Sequence, residues 1–195
     1  MGNLRSVVNA FEYVGAQVKL SSQAKDLKQA DGIVVPGQGA FRDCIKCLRE
    51  NKFVEALNEA VIDNKKPYLG ICLGMQILAE KSFEGGEFMG LGWIKGEVRK
   101  IEPSQNFKVP HLGWDEIKIK RKIKLWVGLS KNPCFYFAHS YVLYPDDAKV
   151  ITATTDYGGE FPVAVQKDNI MAVLFHPEKS QHEGLQPIKN FVESV

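Results

Sequence analysis

Two short stretches of this 195-residue chain place reactive side chains where chemistry needs them. The first is Gly70-Ile71-Cys72-Leu73-Gly74. It follows an apolar strand-like run, Tyr68 to Ile71, and precedes a predicted helix, Leu73 to Glu80. Hydrolases raise a nucleophile on a sharp strand-to-helix bend of this pattern, here with cysteine in place of serine. Small residues must flank the bend, and Gly70 and Gly74 supply them. The start of the following helix offers free N–H groups and partial positive charge, which favour thiolate over thiol. The competing reading is a buried structural cysteine in a tight connection.

A thiolate nucleophile needs a base. Of His111, His139, His176 and His182, only His176 stands just past a buried apolar run, Met171 to Phe175, with a carboxylate two residues on. In His176-Pro177-Glu178 the proline makes the preceding residue extended. Side chains two apart in an extended segment point the same way, so Glu178 is placed to accept the imidazole proton and set its tautomer. On its own the tripeptide reads better as a surface turn with an incidental histidine; a strand-end bend and a strand-end His-x-Glu in one parallel sheet support each other. A third stretch, Val34-Val35-Pro36-Gly37-Gln38-Gly39, also leaves an apolar strand for a helix. Its glycines let the backbone turn N–H groups of Gly37, Gln38 and Gly39, together with that of Leu73, toward an oxyanion. A phosphate loop is the alternative, but the Gly-Lys-Ser/Thr ending and the GxGxxG spacing are both missing.

Stepping outward, the periodicity supplies elements to hold these groups. Leu4, Val7, Val8, Phe11 and Val14 form one helical face ended by Gly15, and Ala16 to Leu20 reads as a strand. A short helix over Lys25 to Ala30 precedes Gly32 to Val35, a continuous apolar run that suits a strand buried on both faces. Helical stripes follow at Phe41 to Leu48 and Phe53 to Val61. Strands alternating with helices predict an α/β fold with an open, mostly parallel, flavodoxin-like sheet and helices on both faces. From Phe83 onward, strands at Gly96 to Glu102, Trp114 to Ile119, Cys134 to Leu143, Val150 to Thr155 and Val163 to Gln166 predict antiparallel additions, and Leu185 to Val192 a closing helix. No linker interrupts the chain, so residues 1–195 are expected to form a single domain.

Composition narrows the function further. With 45% hydrophobic residues, and 25 Lys and Arg against 23 Asp and Glu, the net charge is +2. No strong field invites nucleic acid or an anionic membrane, and no apolar run approaches the ~20 residues of a membrane span. Met1-Gly2 through Ser6 fits a loose acylation pattern, but the same residues open an amphipathic helix. Four scattered cysteines suit a reducing cytoplasm rather than a disulfide scaffold. Cys44-x-x-Cys47 lies within one predicted helix, which favours packing over redox or zinc chemistry. Cys134 reads as core, and His111 and His139 as packing or interface residues.

Taken together, the three motifs resemble those of the class I (triad) glutamine amidotransferases. The likeness is closer to the glutaminase subunits of imidazole glycerol phosphate synthase. It is carried by Gly2-Asn3-Leu4-Arg5-Ser6-Val7, Pro36 to Gly39, Gly70 to Gln76, Pro110-His111-Leu112-Gly113-Trp114, Tyr136 to Tyr141 and Phe175 to Ser180. The resemblance implies that Cys72 is the nucleophile, His176 the acid/base and Glu178 its orienter, with Gly37, Gln38, Gly39 and Leu73 forming the oxyanion hole. It implies that Gln76, Ser140 and Tyr141 hold the substrate glutamine, the last two largely through backbone. It further implies that Trp114, Tyr136 and Lys179 face a (β/α)₈-barrel cyclase partner that receives the ammonia, and that glutaminase activity stays low until that partner binds its ligand. No metal or organic cofactor is needed for thiol chemistry. A paralogue feeding ammonia to a surface-sugar amidation enzyme, and a non-catalytic partner-binding subunit, are the alternatives.

The sequence departs from the family at one place. The resemblance implies a short apolar strand ending in Asp-Tyr-Gly just ahead of Gly2, and the chain opens on a helix instead. The expectation is a truncated chain or a misplaced start, with neighbouring strands left short of backbone partners.

Overall fold

The structure, a computed structural model, describes residues 4–102 and 107–195. Gly2 and Asn3 of the opening motif, and the first residues of the acylation pattern, lie outside the described residues. The expected first helix is α1 (Leu4–Tyr13), with Val7, Ala10 and Phe11 buried. Gly15 ends it at φ +95°, donating to the Glu12 carbonyl at 3.0 Å. The chain continues through β1 (Ile33–Gly37), α2 (Phe41–Glu50), α3 (Phe53–Leu57), β2 (Tyr68–Cys72) and α4 (Leu73–Gln76). There follow β3 (Ala79–Ser82), β4 (Phe88–Met89), β5 (Ile94–Lys100), β6 (His111–Glu116), β7 (Lys118–Ile119), β8 (Cys134–His139) and β9 (Tyr141–Pro145). The last elements are β10 (Ile151–Asp156), β11 (Glu160–Lys167), β12 (Ile170–Val173) and α5 (Gln181–Val192).

The main sheet has the order β1-β2-β12-β11-β10-β7. Its β1, β2 and β12 are mutually parallel, while β11, β10 and β7 extend it antiparallel. The fold is thus the expected α/β class, with the parallel part concentrated in the three strands that carry the motifs. A second sheet runs β4-β3-β5-β9, and β6 pairs with β8 as a separate two-stranded ribbon. Central β2 is buried along its whole length because strands flank it on both sides. Strand β1 forms one edge of the sheet, so Val34 and Val35 are half-buried, not enclosed on both faces as the apolar run predicts.

Three other expectations change for identifiable reasons. Residues 16–20 form no strand, and Val18 and Leu20 are exposed. Alternating apolar residues become a strand only beside a partner, and none of the described strands pairs with them. The predicted helix after Cys72 stops at Gln76, and Ala79–Ser82 is a strand. There the backbone of the glycine-rich segment 90–94 takes over: Leu91, Gly92 and Ile94 donate to the carbonyls of Ile77, Ala79 and Leu78 at 2.8–3.0 Å. Gly90 permits that approach, since a Cβ on it would stand 2.2 Å from the Ala79 oxygen. Finally, the run Cys134 to Leu143 breaks at Ser140, because β8 pairs with β6 and β9 with β5.

Aromatic residues fill the space under the strand ends. Phe135 stacks on Phe175 with centroids 4.0 Å apart, and Phe137 meets Phe175 edge-on. Helices α1 and α5 pack together through Phe11 and Phe191. Among the described residues no helix is long and apolar enough to cross a membrane.

Candidate active site

Register in the parallel strands brings the motifs to one end of the sheet. Gly37 at the end of β1 lies opposite Cys72 at the end of β2, and Ile71 lies opposite Val173, three residues before His176. Cys72 sits at φ 55°, ψ −109°, a conformation that costs a non-glycine residue free energy and persists where surrounding structure enforces it. The enforcement is visible in the glycines. A Cβ at Gly74 would stand 1.9 Å from the Val35 oxygen, one at Gly70 2.4 Å from the Gly74 oxygen, and one at Gly37 2.6 Å from the Leu73 Cβ. The bend, the α4 turn and the end of β1 therefore touch backbone to backbone. The buried Tyr68 hydroxyl donates to the Gly74 carbonyl at 3.0 Å, satisfying a group that so short a helix leaves open.

His176 is buried beside this bend. Its Nδ1 is 2.9 Å from Glu178 Oε1, and both side chains are almost wholly enclosed, at 3% and 2% exposure. A carboxylate accepts, so Nδ1 carries the hydrogen and Nε2 is left for Cys72, which hydrogen-bonds to the ring. Burial alone would push the His176 pKa down. The bonds to Cys72 and Glu178, and their charges, outweigh it and push it up to about 9. Ser180 stitches the motif in place: its Oγ donates to the His176 carbonyl at 2.6 Å and accepts from the Tyr136 N–H at 2.9 Å. His176 N–H in turn donates to the Tyr136 carbonyl at 2.9 Å.

Cys72 and His176 open onto a cavity of about 360 Å³. Its wall also includes Gln38, Gly39, Leu73, Gln76, Glu84, Ser140, Tyr141 and Lys179. Gln76 Nε2 donates to the Tyr141 carbonyl at 2.9 Å, tying the α4 turn to the start of β9. Gly39 has φ +99° and open space around it, so the loop bends there without steric cost. Gly37 lies under the bend and outside the cavity wall, and Glu178 stands behind His176.

Trp114 and Tyr136 are not in the cavity. They are cross-strand partners on the outward face of the β6–β8 ribbon, with ring centroids 6.0 Å apart. Lys179 Nζ lies 5.6 Å from the Tyr136 ring centroid, a cation–π distance. Leu112 and Trp114 on this face are 62% and 46% exposed, and Ala138 joins the strip to the cavity wall.

The remaining residues singled out in the sequence lie elsewhere. Cys44 and Cys47 are on α2, where burial pushes the Cys44 thiol up to about 11, an environment for packing rather than thiolate chemistry. Cys134, expected in the core, alternates onto the half-buried outward side of β8. His111 and His139 are buried among aromatic rings. Sequence reasoning missed Glu84, whose Oε2 accepts from the Phe41 N–H at 2.8 Å, capping α2, while its carboxylate also borders the cavity. It also missed the roles of Tyr68 and Ser180. Each is a lone polar residue in sequence, and its significance lies in a partner that only folding supplies.

A cysteine raised on a strand end, an imidazole held by a carboxylate and a glycine loop alongside mark a thiol-dependent acyl-transfer site. The chain belongs to the glutamine amidotransferase class-I family, whose model matches residues 1–195. Within it, the chain is 46% identical over 191 residues to imidazole glycerol phosphate synthase subunit HisH 1 of Campylobacter jejuni (strain RM1221), covering 98% of this chain and 94% of that one. It is 44% identical over 196 residues to subunit HisH of Pelagibacter ubique (strain HTCC1062), covering 98% and 94%. Among solved structures, a glutamine amidotransferase crystal structure superposes with a TM-score of 0.77 at 22% identity, covering 98% of this chain and 93% of that one, which speaks to the fold.

Proposed function

We propose that this chain is a single-domain glutaminase, the subunit of an imidazole glycerol phosphate synthase that releases ammonia from glutamine for a (β/α)₈-barrel cyclase. The observation that carries it is one buried imidazole bonded to both Cys72 and Glu178 at the mouth of a cavity sized for an amino acid. The near-full-length likeness to HisH subunits supports the choice of substrate and partner.

The steps follow from the geometry. The Cys72 thiolate attacks the side-chain amide carbon of glutamine, and the carbonyl π electrons move onto oxygen. The Leu73 N–H and the part of the loop that borders the cavity, Gln38 and Gly39, receive that oxyanion, each donor worth roughly 2.7–4 kcal/mol. His176, held cationic between thiolate and carboxylate, gives its proton to the departing nitrogen, and ammonia leaves a glutamyl thioester. His176 then takes a proton from water as it attacks the thioester, and glutamate departs with the thiolate restored. Gln76 and the Ser140–Tyr141 backbone orient the substrate, and the Glu84 carboxylate on the cavity wall suits its ammonium group. The outward strip of Leu112, Trp114, Tyr136 and Lys179 is apolar with one cation, the composition of an interface core. Because Ala138 and Lys179 border the cavity as well as the strip, a partner seated there would receive ammonia directly. Thiol hydrolysis of this kind calls on no metal or organic cofactor, and the work fits a cytoplasmic biosynthetic subunit.

Cys72→Ala is the test. In the complex it should abolish glutamine-dependent synthesis while leaving synthesis from added ammonia intact; retention of glutamine-dependent turnover would refute the assignment. Complementation of a histidine auxotroph lacking this subunit separates the histidine-pathway enzyme from a sugar-amidation paralogue.

A further inference from the structure

Antiparallel pairing leaves one backbone group at the cavity without a strand partner. Ile101 N–H donates to the Ser140 carbonyl at 2.9 Å, so the next pair in register, Lys100 and Tyr141, is a non-hydrogen-bonded pair whose backbone groups point away from each other. Strand β9 is the edge of its sheet, so the Tyr141 carbonyl faces away from every ladder. Two side chains answer it. Gln76 Nε2 donates at 2.9 Å, and His139 Nδ1 lies 3.1 Å away. A carbonyl can only accept, so the His139 hydrogen resides on Nδ1. The ring cannot swing off: His111 and Phe161 meet it edge-on at 5.1 and 5.9 Å, and Phe137 flanks it at 5.7 Å. Its Nε2 is buried with no partner among the described residues.

We infer that His139 is a positioning residue for the glutamine site: with Gln76 it pins the Tyr141 carbonyl and so sets the Ser140–Tyr141 backbone that borders the cavity. This rests on the glutaminase reading and deepens it. Burial pushes the His139 pKa down to about 3, so the ring remains a neutral, single-tautomer donor throughout the working pH range. A residue that only filled space among aromatic rings would be replaced by any side chain of similar bulk. A residue that supplies a directed hydrogen bond is replaced only by another donor at the same place. Asparagine carries its amide nitrogen at the position of Nδ1; glutamine carries it one methylene further.

The experiment labels Cys72, in the complex with the cyclase partner and that partner's ligand, with a glutamine-shaped diazoketone, read by peptide mass, and in parallel with iodoacetamide, which reports thiol reactivity without the glutamine pocket. His139→Leu should raise the half-saturating diazoketone concentration about five- to tenfold, the loss of one hydrogen bond, while maximal labelling and iodoacetamide rates stay within about twofold. His139→Asn should recover most of the loss and His139→Gln less. Equal weakening in all three variants, a loss confined to the maximal or iodoacetamide rate, or an unchanged His139→Leu would overturn the inference. Should His139→Leu fail to fold, the order of Asn over Gln decides, and equality of the two overturns it. A wild-type complex labelled by iodoacetamide but not saturably by the diazoketone overturns the glutaminase reading itself, and this inference with it.

Discussion

The chemistry of the site turns on the charge of one imidazole. His176 is enclosed, which by itself favours the neutral ring, yet Cys72 and Glu178 hold its pKa at about 9. The proposed mechanism has a cationic His176 protonate the leaving nitrogen, so activity should persist up to about pH 9 and fall above it as the ring loses its proton. Glu178→Gln removes the negative charge while keeping the size of the side chain. The His176 pKa should then drop, the alkaline limb of kcat/KM should move to lower pH, and turnover should fall about 100-fold or more. A pH profile of the complex checks all three; an unmoved alkaline limb would show that Glu178 does not tune the ring. That Cys72, His176 and Glu178 come together was legible in the sequence because their short motifs carry backbone constraints: glycines at a bend, proline after histidine. Glu84 was not, since its partner Phe41 lies 43 residues away and nothing local marks the pair.

Among elements, the bend between β2 and α4 is the most tightly specified. Gly74 lies against the Val35 backbone of β1, and its carbonyl is held by Tyr68 and crowded by Gly70. Gly74→Ala would drive a methyl group into the Val35 oxygen, which is backbone and cannot rotate away. We expect a stability loss of about 2–3 kcal/mol in urea unfolding, the range of overpacking in a close-packed interior. We also expect glutaminase activity to fall further than the folded fraction does, because the displaced peptide carries the Leu73 N–H and the Cys72 side chain. A variant with wild-type urea midpoint would refute the close approach. The same element shows where local pattern loses to tertiary pairing. Leu73 to Glu80 has helical spacing, but three carbonyls between Ile77 and Ala79 take donors from residues 91–94, so the helix ends after one turn. Residues 16–20 err in the opposite sense: their alternation is strand-like, and a strand cannot exist without a neighbour.

For the molecule as a whole, two buried histidines set the acid limb of the stability curve. The α/β class was legible because its periodicities are local; the way β8 and β9 divide at Ser140 was not, because it depends on which distant strand each half pairs with. That division is also what buries His139 and places His111 between Phe137 and Tyr157, stacked at 4.5 and 3.9 Å. Burial lowers the pKa of both, His139 to about 3. An unfolded histidine titrates near ~6.5, so below that pH the unfolded chain binds protons at both rings that the native chain refuses. Stability should therefore fall as pH drops from ~6.5, by up to about 1.4 kcal/mol per pH unit per ring. Urea midpoints measured from about pH 4 to 7 should trace this acid limb, with His139→Leu flattening it. Midpoints that held level as pH dropped from ~6.5 to ~4 would contradict the burial that keeps these two rings neutral.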